Sequence, residues 1–182
     1  MNHRRLFLAA AAASALLAGC ASAPTPADYA AEKPVLALER YFDGLVLAHG
    51  IFTDRSGKVV RRFTVRMDCT WKGDEGVLDE AFTYSDGSTQ RRVWRLKKLR
   101  GAGNEGRYTG TADDVVGTAQ GQAAGNAFQW AYTLRLPVDG KVYDIQFDDW
   151  MFLVDDKVML NKAVMSKFGI RLGEVTLAFT KP

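Results

Sequence analysis

Between residues 62 and 71 apolar and polar side chains alternate without a break. Phe63, Val65, Met67, Cys69 and Trp71 fall on one side, and Arg62, Thr64, Arg66, Asp68 and Thr70 on the other. A period of two is that of a β-strand with one buried face. The pattern recurs from Asn126 to Leu136, where Phe128, Trp130, Tyr132, Leu134 and Leu136 oppose Gln129, Ala131, Thr133 and Arg135. Tyr143, Ile145 and Phe147 repeat it, as do Val175, Leu177 and Phe179.

Turn-forming pairs separate these runs: Ser56-Gly57, Gly73-Asp74, Asp86-Gly87, Gly101-Ala102-Gly103, Gly125-Asn126, Asp139-Gly140 and Asp155-Asp156. Their spacing is that of long antiparallel hairpins in sequence order. One short helix is expected near Pro34 to Tyr41, and neither a repeat nor a βαβ alternation is present. The pattern therefore predicts an all-β chain, an antiparallel meander of roughly eight to ten strands closing into a barrel.

Two stretches break the alternation in an informative way. In the hairpin Val77 to Lys98, Leu78, Glu80, Phe82 and Tyr84 share a face with Arg92, Trp94 and Leu96. A turn at Asp86-Gly87 sets Glu80 opposite Trp94, Phe82 opposite Arg92 and Tyr84 opposite Gln90. If the aromatics point inward, Glu80 and Arg92 point inward with them. They form either a structural ion pair or a polar hook that holds a carboxylate or other head group inside an apolar cavity. The second stretch is Asp148-Asp149-Trp150-Met151, where one of two consecutive carboxylates must turn inward. The candidate ligand-binding set is Glu80, Phe82, Tyr84, Arg92, Trp94, Trp130, Tyr132, Asp149 and Trp150.

The N-terminal residues state an address. Arg4 and Arg5 precede the uncharged run Leu6 to Leu17, which ends in Leu17-Ala18-Gly19-Cys20. A basic start and a short apolar run make a secretory signal, too short for a stable membrane span. Its end resembles the lipobox of bacterial lipoproteins. That resemblance implies removal of residues 1–19 and acylation of Cys20, and Ala21 in the next position implies delivery to the outer membrane. Residues 20–34, with three of the five prolines, read as an extended tether of about 40 Å at ~3.1 Å per residue. Residues 35–182 remain as one domain, expected to face the periplasm as a monomer.

Charge and composition narrow the chemistry. The formal charge of +3 falls to about +1 once Arg4 and Arg5 leave, so nucleic acid is not an expected partner. Two cysteines and two histidines leave the body one of each, too few for a disulfide framework or a cysteine–histidine zinc site. No cofactor is implied. His49 lacks a partner at a motif spacing, and Cys69 reads as a small buried hydrophobe. Six basic residues lie between Arg91 and Arg100, either as a solvated strand end or as a patch for anionic lipid head groups. Basic residues on both faces of this strand, and a C-terminus of Phe179-Thr180-Lys181-Pro182, argue against a barrel embedded in the membrane.

Tyr41-Phe42-Asp43-Gly44, the run from Asp54 to Val59, Tyr84-Ser85-Asp86-Gly87, Gly125-Asn126-Ala127 and Asp148-Asp149-Trp150-Met151 together resemble a family of proteobacterial lipoproteins of unknown function. Lys167-Phe168-Gly169-Ile170 and Gly173-Glu174-Val175-Thr176-Leu177 extend the resemblance. It implies no activity; the strand pattern itself makes the barrel lipocalin-like. Three functions compete: a lipid-anchored barrel that binds a lipid or other small hydrophobic ligand, a solid barrel with a structural role in the envelope, and an enzyme acting on an acyl chain through Asp148, Asp149 and Glu80, with His49 in support.

Overall fold

The computed structural model describes residues 22–138 and 140–182. Ten antiparallel strands follow one another around a closed barrel: β1 (Gly44–Asp54), β2 (Val59–Lys72), β3 (Glu75–Tyr84), β4 (Thr89–Lys98), β5 (Arg107–Thr111), β6 (Ala119–Ala124), β7 (Ala127–Val138), β8 (Lys141–Leu153), β9 (Val158–Lys167) and β10 (Ile170–Thr180). Each pairs with its sequence neighbours, and β1 pairs with β10 to close the ring. Closure leaves no free sheet edge. The alternating runs fall inside: Phe63, Val65, Met67 and Cys69 of β2, with Phe128, Trp130 and Leu134 of β7, are all buried.

The two ends of the barrel differ. A single helical turn, α1 (Leu38–Tyr41), plugs one end. Leu36, Leu38, Tyr41 and Phe42 are buried there, Phe42 packs edge-on against Phe179, and the Tyr41 hydroxyl donates to the Lys157 carbonyl at 3.0 Å. Glu39 of α1 binds Lys98 and accepts from the Tyr108 hydroxyl at 2.7 Å, tying the plug to β4 and β5. At the other end Phe52, Tyr84, Leu136, Tyr143, Met165 and Leu177 are only partly buried, and no helix among the described residues covers them. The hairpin tips around this mouth expose Val59, Val60, Val142, Phe168 and Ile170, with Phe168 86% exposed.

The supposed tether is partly built into the fold. Pro26–Tyr29 forms a 3-10 turn. The Tyr29 ring lies 5.8 Å from Trp150 and 5.2 Å from Phe152, on the outside of β8. The Leu36 amide then donates to Gly125 at 2.8 Å near the plugged end. The length reading missed this because a single aromatic in a Pro/Ala stretch carries no periodic signal. The leader and Cys20 lie outside the described residues.

The β3–β4 register also differs from expectation. Glu80 pairs with Arg92, Phe82 with Gln90 and Leu78 with Trp94. The turn encloses three residues, Ser85 to Gly87, with Gly87 at φ +83 and the Tyr84 amide bonded to the Ser88 carbonyl. A type I turn followed by a left-handed glycine centres the hairpin on Asp86 and slides the partners by two. An even slide preserves the faces, so the inward set is unchanged.

No described helix is long and apolar enough to cross a membrane. On β2 the outward positions Arg62, Arg66 and Asp68 are charged, a surface that hydrocarbon would not tolerate.

Candidate functional site

Large aromatics fit inside this barrel because small residues face them. A Cβ added at Gly121 of β6 would stand 2.2 Å from the Trp130 ring and 2.4 Å from Phe128. One at Gly110 of β5 would meet Leu96 and Trp130 within 3 Å. The two glycines let Trp130 lie flat across β5 and β6. Trp130 and Tyr132 then meet Trp94 edge-on at 5.6 and 5.3 Å, and Tyr132 stacks on Phe147 at 5.1 Å.

These rings wall a cavity of about 160 Å³ between the α1 plug and the open mouth. The expected residues Glu80, Phe82, Tyr84, Arg92, Trp94, Trp130, Tyr132 and Asp149 all line it. Trp150 does not, and is corrected: regular pairing on both sides of β8 keeps strict alternation, so an inward Asp149 forces Trp150 outward, against Tyr29. The interior is thus not solid.

Arg92 is held by a partner the sequence reading missed. Its Nε donates to both oxygens of Asp114 at 3.0 and 2.9 Å, and its Nη2 to Oδ2 at 2.8 Å. Asp114 comes from the β5–β6 loop, which folds over the wall where those short strands stop below the rim. Its backbone carbonyl accepts from the Arg135 amide at 2.8 Å, and Val115 bridges to Leu134. No motif spacing marks Asp114; the loop that follows β5, the strand paired with β4, brings it to Arg92. Glu80 lies farther from Arg92, 3.9 Å from Nη1, beyond hydrogen-bond distance. Both side chains are nearly enclosed, Glu80 12% and Arg92 13% exposed.

A second polar group sits in the same wall. The Tyr132 hydroxyl donates to Asp149 Oδ2 at 3.1 Å, and Asn161 of β9 donates to Oδ1. Asn161 reaches this carboxylate from the neighbouring strand, whereas Lys167 and Phe168, at the far end of β9 and its turn, lie at the mouth. Desolvation pushes Glu80 up to about 7, and Arg92 only partly offsets it. Desolvation likewise raises Asp149 to about 6 against the bonds from Asn161 and Tyr132. Burial also carries Tyr132 well above the usual phenol range. Arg92 is held above its ordinary value, as its two carboxylate neighbours outweigh desolvation.

The acid–base set of the enzyme reading is not assembled. Asp148 points outward and accepts from Gln129 at 2.6 Å, and His49 is exposed on the outer face of β1. Neither joins Glu80 and Asp149. Cys69 is buried, its thiol pushed up to about 12 by desolvation and nearby carboxylates, opposite to what a nucleophile needs. Four of the six basic residues between Arg91 and Arg100 are paired: Arg91 binds Asp79, Arg92 binds Asp114, Lys98 binds Glu39 and Arg100 binds Asp74, while Arg95 and Lys97 are exposed on the outer face of β4. No metal-binding cluster occurs among the described residues.

The fold and site define a class: a closed, ten-stranded antiparallel barrel, plugged at one end, with an aromatic cavity that carries buried charge. The chain belongs to a protein family of unknown function, DUF3833, whose sequence pattern matches residues 14–181. No curated protein matches it by sequence. Among solved structures it is similar to the S-type phycobiliprotein lyase CPES from Guillardia theta, at 6% identity and TM-score 0.60, covering 81% of this chain and 93% of that one. Looser matches are EF1p2_mFAP2b bound to DFHBI, at 10% identity and TM-score 0.44 over 80% and 100% of the two chains, and apocrustacyanin C2, at 12% identity and TM-score 0.35 over 79% and 62%. At these identities the likeness is one of fold.

Proposed function

We propose that this protein is a lipid-anchored binding module of the outer membrane, acylated at Cys20, whose barrel faces the periplasm and takes a lipid or other small hydrophobic ligand. The observation that carries this reading is the aromatic-walled cavity, open at one end and holding nearly buried charged groups that a purely structural core would not need. Its size limits the occupant. About 160 Å³ compares with the ~150 Å³ apolar cavities that take one benzene-sized molecule, and is smaller than the ~300–1,000 Å³ of drug-sized sites. One slender chain or a single ring fits better than a fused multi-ring molecule. The exposed apolar tips at the mouth support access from a lipid surface.

The test is mass spectrometry of small molecules released from the protein purified gently from its own membrane, beside an unacylated periplasmic form. A stoichiometric apolar species in both supports the reading. Empty protein in both refutes ligand binding, and an unmodified Cys20 in the membrane-purified sample refutes the anchor.

A further inference from the structure

The charge inside the barrel is unbalanced, and its sign bears on the occupant. Glu80 of β3 and Asp149 of β8 line the cavity with one guanidinium, Arg92 of β4, which is bound by a third carboxylate, Asp114 of the β5–β6 loop. Arg92 commits its Nε/Nη2 edge to Asp114 at 2.8–3.0 Å, and its remaining end, Nη1, lies on the side of Glu80. The hook expected to hold an anion is thus half committed and shadowed by a second carboxyl group. Glu80, by contrast, makes no hydrogen bond; its closest cation is 3.9 Å away, and its side chain lines the cavity. Asp149 receives Tyr132 and Asn161, one donor on each oxygen, leaving capacity for more.

We infer that this site takes a slender apolar molecule carrying a cationic, hydrogen-bond-donating head, a protonated amine, seated against Glu80 with Asp149 in reach. An anionic head would join three carboxyl groups around a single cation that one of them already binds. A cationic head supplies the partner that Glu80 lacks, in surroundings where a charge is costly unless paired. The groups facing Glu80 are Arg92, Asp114, Asp149, Tyr84 and Tyr132, among which Arg92 is the sole cation. Burial holds Glu80 near neutrality, so an ammonium at this point draws it into the ionised form.

The inference rests on the barrel being a ligand-binding module, and the experiment separates the two. Full-length protein, freed of co-purifying molecules, is titrated at pH 7.5 with hexylamine, 1-hexanol and hexanoate, followed by calorimetry and by the fluorescence of Trp94 and Trp130. Hexylamine is expected to bind about tenfold or more tighter than 1-hexanol, and hexanoate weakest. Glu80→Gln, checked for folding by circular dichroism, should remove most of the amine's advantage over 1-hexanol. Hexanoate binding as well as hexylamine overturns the inference and leaves the binding module standing. An amine advantage that survives both Glu80→Gln and Asp149→Asn also overturns it. Failure of all three probes to bind overturns both readings.

Discussion

Replacing Glu80 with Gln should stabilise the barrel at alkaline pH. The carboxyl is nearly enclosed, lacks a hydrogen bond and lies 3.9 Å from Arg92, so desolvation outweighs attraction and its pKa rises from 4.5 to about 7. Between those values the folded protein keeps a proton that the unfolded chain has released. More protons on the folded state means that stability falls as pH rises through the window, and the whole cost is present above pH 7. At ~1.4 kcal/mol per pKa unit the cost is about 3 kcal/mol. Glutamine resembles the protonated acid in shape and carries no charge. Its advantage over wild type should therefore grow by about 2–3 kcal/mol between pH 5 and pH 8. Urea unfolding at both pH values, followed by tryptophan fluorescence, measures it. A variant less stable than wild type at pH 8, or a difference that is flat with pH, would refute the reasoning: it would mean that Arg92 already compensates Glu80 in full. Stability given up at one buried charge is the pattern expected of a binding group.

Other substitutions probe the same geometry. Arg92→Met removes the cation that Asp114 binds and Glu80 approaches and should cost about 3–5 kcal/mol, more at pH 8 than at pH 5, in the same urea titration; a loss below about 1 kcal/mol would contradict the pairing with Asp114. Gly121→Ala drives a methyl group to 2.2 Å from Trp130 and 2.4 Å from Phe128, so overpacking should cost about 1–3 kcal/mol and lower the calorimetric Tm; an unchanged Tm would show that the rings are free to move. Cys69, buried with its thiol raised to about 12, should react with a disulfide reagent at pH 8 only as the protein unfolds, and rapid labelling of the native protein would place it outside the core.

Much of this architecture is written into local pattern. Alternation with period two sets which residues of β2, β7, β8 and β10 face inward, because successive side chains of a strand leave on opposite faces. Parity alone places Glu80 and Arg92 together, and with Phe147 inward it makes Asp149 inward and Trp150 outward. The outward placement of Trp150 was legible, and the aromatic character of the residue obscured it. Glycine turns divide the strands and make a meander the simplest topology. The N-terminal run that resembles a lipoprotein signal, ending in Cys20, is likewise a local pattern, and the anchor experiment tests its processing.

What the tertiary structure decided concerns groups that meet across the chain. Closure of β1 on β10 makes the apolar faces an interior. Because β5 and β6 are short, a loop folds over the wall and delivers Asp114 to Arg92, 22 residues away. That one contact commits one edge of the apparent anion hook and leaves Glu80 without a hydrogen-bonded partner among the described residues. Tyr29 finds Trp150 and Phe152 only once β8 has an outside. Periodicity reports the face on which a side chain lies, whereas its partner depends on register, turn length and loop reach, each set by the closed sheet as a whole.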